Sequence, residues 1–135
     1  MAGLGRSTSI SSAGADVTPF GEKLRSMRAQ RRVQLKTMAK ALGITPAYLS
    51  ALEHGQRGRP NRYFVRKVCA YFNIIWDDAE ELQRLADLSH PRVTVDTAGL
   101  DARRTELANL LARDISKLPD ETVARWLKEA RKTGG

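Results

Sequence analysis

An all-α fold is predicted by three observations. Apolar residues recur at three- and four-residue spacing along most of the chain, with a single short stretch of strict alternation at 92–97. Two Thr-Pro pairs, Thr18-Pro19 and Thr45-Pro46, have the form of a helix cap followed by a first-position proline. Gly43 falls between two short apolar stripes, Met38/Ala39/Leu42 and Leu49/Leu52, where only a tight turn fits. A glycine there takes positive φ without a Cβ clash.

Taken in order, residues 1–17 (MAGLGRSTSISSAGADV) are rich in Ser, Gly and Ala and read as a disordered tail, with Arg6 as its single cation. An arm reaching a DNA groove through Arg6 is the sharper alternative. Phe20, Leu24 and Met27 make a helix of about Pro19–Arg31, whose other face carries Lys23, Arg25, Arg28 and Arg31. The second helix runs from about Leu35 to Leu42 and the third from about Pro46 to Glu53. Helix, glycine turn and capped helix together form the helix-turn-helix pattern. A Gly- and Arg-rich loop, His54 to Pro60, follows. Asn61 then caps a fourth helix with Phe64, Val65, Val68 and Phe72 as its buried stripe, ended by Asn73. The fifth helix starts at Asp77 or Asp78, with Trp76, Ala79, Leu82, Leu85 and Ala86 on one face and acids at the positive end of its dipole. These elements set a domain at 18–89. The remainder, 90–135, begins with the His90-Pro91 break. Within it, RVTVDT at 92–97 fits either a short strand or an extended linker. Leu100, Leu107, Leu110, Leu111, Ile115 and Leu118 then form a long amphipathic stripe stopped by Pro119. A last short helix carries Val123, Trp126, Leu127 and Ala130.

Charge is unevenly distributed along the 135 residues, whose net charge is +8. Between Pro19 and Phe72, twelve basic residues face only Glu22 and Glu53, a local excess of +10; residues 73–90 carry −4 and residues 91–135 carry +2. A positive field concentrated on the helix-turn-helix region points to an anionic partner such as nucleic acid. The single Cys69 excludes an intrachain disulfide, fits a reducing compartment, and lies beside the buried stripe of its helix. No apolar run approaches the ~18–20 residues of a membrane span, and no signal-peptide core is present. The expected location is cytoplasmic and nucleoid-associated. His54 and His90 have no Cys or carboxylate at ligand spacing, so no metal is expected. No nucleophile–base frame and no phosphate-binding glycine loop stands out. Neither an enzyme activity nor a cofactor is expected.

Residues Phe20 to about Ile75 resemble the Xre/Cro family, the lambda-repressor-like helix-turn-helix domains of phage and bacterial regulators. The resemblance is carried by Phe20, Gly21, Leu24 and Arg25; by Met38-Ala39 and Gly43; by Tyr48-Leu49-Ser50, Leu52-Glu53 and Gly55; and by Arg59-Pro60. It implies a five-helix, repressor-like domain that binds operator DNA as a dimer, followed here by a C-terminal helical extension. It also implies that the first two positions of the third helix and the one a turn later read bases. Here those are Pro46, Ala47 and Ala51, which cannot make bidentate bonds but can touch thymine methyl groups. Thr45, Tyr48, Ser50 and His54 are the polar candidates for base contact. Leu35 stands where the family usually has Gln, so Gln34 and Lys36 are the substitutes for its phosphate contact. Arg57, Arg59 and Arg62 flank a loop that, by the same resemblance, follows the phosphate backbone; a solvated basic loop is the plainer alternative.

Leu107, Leu110, Leu111, Ile115, Leu118 and Trp126 need an apolar partner, at ~25 cal/mol per Å² of buried area. Packing within the chain and packing in a homodimer are both open, and the homodimer is preferred, since two half-sites ~34 Å apart require two copies of the third helix. The expected function is sequence-specific regulation of transcription, as a repressor on a palindromic operator. An antitoxin using residues 91–135 to hold a toxin, and an interaction adaptor, are the alternatives. The acids from Asp77 to Glu81 read as a helix start, or as a contact for a partner such as RNA polymerase.

Overall fold

The computed structural model describes residues 16–134, so Arg6 and most of the N-terminal tail lie outside the described residues. Among the described residues there are seven α-helices, one 3₁₀ turn and no strand. Two compact units divide between Val93 and Thr94.

The first unit contains α1 (Pro19–Arg31), α2 (Leu35–Leu42), α3 (Pro46–Glu53), α4 (Arg62–Phe72) and α5 (Trp76–Asp87). Its helix starts are capped by side chains. Thr18 Oγ1 accepts from the Gly21 N–H at 3.1 Å, Thr45 Oγ1 from Tyr48 at 3.1 Å and Asn61 Oδ1 from Phe64 at 2.8 Å. Each cap satisfies an N–H that has no partner within its helix. Gly43 ends α2 in the left-handed region at φ +76°. The core is Phe20 and Leu24 of α1, Met38 and Leu42 of α2, Leu49 and Leu52 of α3, Val65, Val68 and Phe72 of α4, and Leu82 and Ala86 of α5. Helix α1 packs on α3 and α5, α2 on α3 and α4, and α4 on α5. Ala39 is fully buried, which its small side chain allows at the packed side of α2.

Ser89 closes this unit. Its buried hydroxyl donates to the Leu85 carbonyl at 2.6 Å and accepts from the Phe20 N–H at 2.9 Å. One side chain thus joins the end of α5 to the start of α1.

Helix α5 departs from expectation at its beginning. It starts at Trp76, one residue before the acidic pair, and Trp76 is 80% exposed rather than part of the buried stripe. The reason lies in the backbone: Trp76 has φ +56°, and this left-handed entry swings its side chain off the packed face.

The second unit contains α6 (Ala102–Asp114), a 3₁₀ turn (Ile115–Lys117) and α7 (Asp120–Thr133). Asp101 caps α6 by accepting from the Arg104 N–H at 3.1 Å. The stripe expected from Leu100 to Leu118 is not one helix. Leu100 precedes α6, and Leu118 is extended (ψ 135°) because a residue before proline is driven out of the α region. The last helix is also not short; at 14 residues it is the longest. Residues 92–97 form neither a helix nor a paired strand, so within one chain they are a linker.

Candidate nucleic-acid interface

Helix α3 divides its residues cleanly. Leu49, Leu52 and Glu53 are buried, while Thr45, Pro46, Ala47 and Tyr48 are exposed and Ser50 and Ala51 are half-buried. The inward set holds the helix, and the outward set forms a low, mostly uncharged ridge.

The end of α3 is held by an ion-pair cluster. Glu53 is 1% exposed. Its carboxylate accepts from Arg28 through both terminal guanidinium nitrogens, Nη1 and Nη2, and from Arg25 Nε at 3.4 Å. Paired charges and several hydrogen bonds offset the cost of burying the carboxylate. Arg25 Nη2 also reaches His54 Nε2 at 3.3 Å, and His54 Nδ1 lies 2.8 Å from the Ser50 carbonyl. A guanidinium only donates, so Nε2 accepts and Nδ1–H donates to Ser50. Both ring nitrogens of His54 are therefore engaged within the fold.

The backbone of Glu53 adds to this anchor. Its carbonyl accepts from the Thr18 N–H at 3.0 Å. Gly21 lies directly against it, and a Cβ there would collide with the Glu53 carbonyl oxygen and come within 2.8 Å of its carbon. Helix α1 thus fixes where α3 ends.

The loop after α3 turns on two glycines with positive φ, Gly55 (+75°) and Gly58 (+74°). Gly55 is buried, whereas a Cβ at Gly58 would meet nothing. Arg57 reaches back to α3, its guanidinium 5.1 Å from the centre of the Tyr48 ring. This cation–π contact joins two predicted site residues into one surface. Arg59 is 3.4 Å from Asp87 of α5, both exposed, and Arg62 is exposed in the first turn of α4. Gln34 stands at the start of α2 with no capping bond from its side chain, next to exposed Lys36. No acidic residue lies in the first turn of α2, α3 or α4, whereas α1, α5 and α7 each carry one or more. The positive ends of those three dipoles are left uncompensated and suit anions.

Several cations of the +10 region serve the fold. Arg31 Nη2 donates to the Phe72 carbonyl at 2.9 Å, ending α4, and Lys67 Nζ donates to the Leu42 carbonyl at 2.5 Å, ending α2. These roles, and those of Arg25 and Arg28, are missed by counting charge. The signal for Arg25 and Arg28 was Glu53, one of only two acids in that region. Cys69 is half-buried against the core, and burial pushes its thiol above the ordinary value. Glu81 pairs with Arg84 at 2.7 Å, and that hydrogen bond holds its carboxyl below the usual range. Among the described residues no cluster of His, Cys, Asp and Glu could hold a metal ion, and no helix is long and apolar enough to cross a membrane.

In the second unit Leu107, Leu110, Ile115 and Trp126 are exposed and Leu111 and Leu118 half-buried; neither α6 nor α7 buries a residue. The apolar face expected to need a partner is therefore uncovered within its unit.

A scaffold of five helices that presents one short helix and a basic loop is what a helix-turn-helix domain builds. The profile of the helix-turn-helix domain family matches residues 19–90, just over half of the chain, and the chain belongs to that family. Two relatives come from Bacillus subtilis (strain 168). The uncharacterized HTH-type transcriptional regulator RghRB is 31% identical over 62 residues, which is 46% of this chain and 45% of the relative. The HTH-type transcriptional repressor RghR is 31% identical over 58 residues, 43% of each chain. The chain thus spans less than half the length of the curated relatives it matches. No solved structure matches it.

Proposed function

We propose that this protein is a transcriptional regulator of the Xre/Cro type that binds double-stranded DNA sequence-specifically. It acts as a repressor, bound as a homodimer to a palindromic operator with α3 in the major groove. The observation that carries this reading is the continuous surface made by the exposed ridge of α3 and Arg57 stacked on Tyr48. A helix of ~10–12 Å diameter fits the ~12 Å major groove. Pro46, Ala47 and Ala51 give close approach and thymine-methyl contact. Thr45, Tyr48 and Ser50 supply polar groups, while the ring nitrogens of His54 are already used. Gln34, Lys36, Arg57, Arg59 and Arg62 are the phosphate contacts, charge-assisted and in part bidentate. The RghR and RghRB names support regulation, and the first supports repression.

Selection of bound DNA from a random pool at fixed salt tests this. Enrichment of a palindrome is the expected result; no enrichment leaves a non-specific binder or an adaptor. Arg57→Ala and Arg59→Ala should each weaken binding to all sequences alike and lower the salt slope by about 1. Unchanged affinity and slope would remove both residues from the interface.

The bare apolar face of α6 and α7 favours one second reading, an antitoxin that holds a toxin on this segment. Copurification of a small partner in place of a homodimer would select it.

A further inference from the structure

We propose that residues 92–97 of two copies pair as an antiparallel two-stranded ribbon, with Thr94 of each copy at the two-fold axis. This rests on the homodimer reading above and says where the axis passes. The segment RVTVDT holds four β-branched residues in six, Val93, Thr94, Val95 and Thr97, the composition of a strand. Pro91 precedes it, where a strand tolerates a missing N–H. The segment lies outside every helix and pairs with nothing: among the described residues, no backbone N–H or carbonyl from 93 to 96 has a backbone hydrogen-bond partner. Val93 is 75% exposed and Val95 64%. A run of unpaired backbone groups carrying exposed β-branched residues is a template for a second strand.

The segment is complementary to itself in one register. With Thr94 opposite Thr94, Val93 faces Val95 of the second copy, and Arg92 faces its Asp96. By the two-fold symmetry each of those pairs occurs twice. Directly opposed residues lie on the same face, so four valines share one face, and both Arg–Asp pairs flank the threonines on the other. The Arg92 guanidinium has no acidic partner among the described residues, and Arg92, Thr94 and Asp96 are all exposed. Centring on Val95 instead sets Val93 against Thr97 and Thr94 against Asp96. Centring between Thr94 and Val95 sets Val93 against Asp96. An in-register parallel pair would set Arg92 against Arg92. The Thr94-centred register alone pairs apolar with apolar and opposite with opposite charge.

Charge reversal tests the pairing in the full chain. R92D and D96R should each weaken the dimer about tenfold in sedimentation equilibrium, and R92D/D96R together should recover to within about twofold of the native chain. In a C69S background, T94C should oxidise quickly to a covalent dimer, since opposed Cα atoms ~4.5–5.5 Å apart suit a disulfide, whereas A98C should not. Circular dichroism should report unchanged helix content in every variant, since the substituted positions lie outside all helices. Single reversals that leave the dimer intact, or a double reversal no better than either single, overturn the ribbon while the homodimer stands. A native chain that sediments as a monomer at every concentration overturns both.

Discussion

At the scale of single residues, Glu53 carries the most weight. It is a buried carboxylate on the helix proposed to meet DNA, and its partners Arg25 and Arg28 come from α1. Glu53→Ala leaves two guanidinium groups facing a cavity and should cost about 3 kcal/mol in urea unfolding. Gly21→Ala should cost about 1–3 kcal/mol, because the new methyl meets backbone that cannot move without shifting α3. Ser89→Ala removes the acceptor for the Phe20 N–H in a buried place and should cost about 1–2 kcal/mol. Were the three losses no larger than those of surface substitutions, the joint between α1, α3 and α5 would not be what holds the domain.

At the scale of elements, α3 and its loop act together. The Tyr48–Arg57 contact holds Arg57 beside the ridge, which on the proposed reading lowers the ordering cost of binding DNA. Arg59 is in the opposite situation, since it rests on Asp87. Asp87→Asn should release Arg59 and tighten DNA binding about twofold, read by fluorescence anisotropy at low salt, with the gain vanishing in Arg59→Ala. Weaker binding in Asp87→Asn would instead mean that Asp87 aims Arg59 at the phosphate.

At the scale of the whole molecule, the question is what covers α6 and α7. Fourteen exposed large hydrophobic residues are distributed along the described chain, nine of them from Val93 onward. Such concentration in a segment with nothing buried fits the association surface that the homodimer reading proposes. Removal of residues 94–135 should leave a folded monomer that binds a half-site weakly, with sedimentation giving the mass and titration the affinity. A truncated chain that remains dimeric would move the interface into the first unit.

Much of this protein was determined by the sequence alone. The bounds of α1 to α4 follow from Thr18-Pro19, Gly43, Thr45-Pro46, Asn61 and Asn73, because caps and breakers act within a few residues. The core stripe of α1 to α4 follows from helical periodicity for the same local reason. The candidate interface was legible as residue types, Arg57, Arg59 and the plain face of α3. Which cations reach outward was not legible, because periodicity does not say where a long side chain finds a partner. Only the tertiary structure turned Arg25 and Arg28 toward Glu53, Arg31 and Lys67 toward helix ends, and both nitrogens of His54 inward. It also turned Trp76 outward through a left-handed backbone and left 92–97 without a strand partner. Those outcomes depend on contacts between residues far apart in sequence, and local propensity carries no term for them.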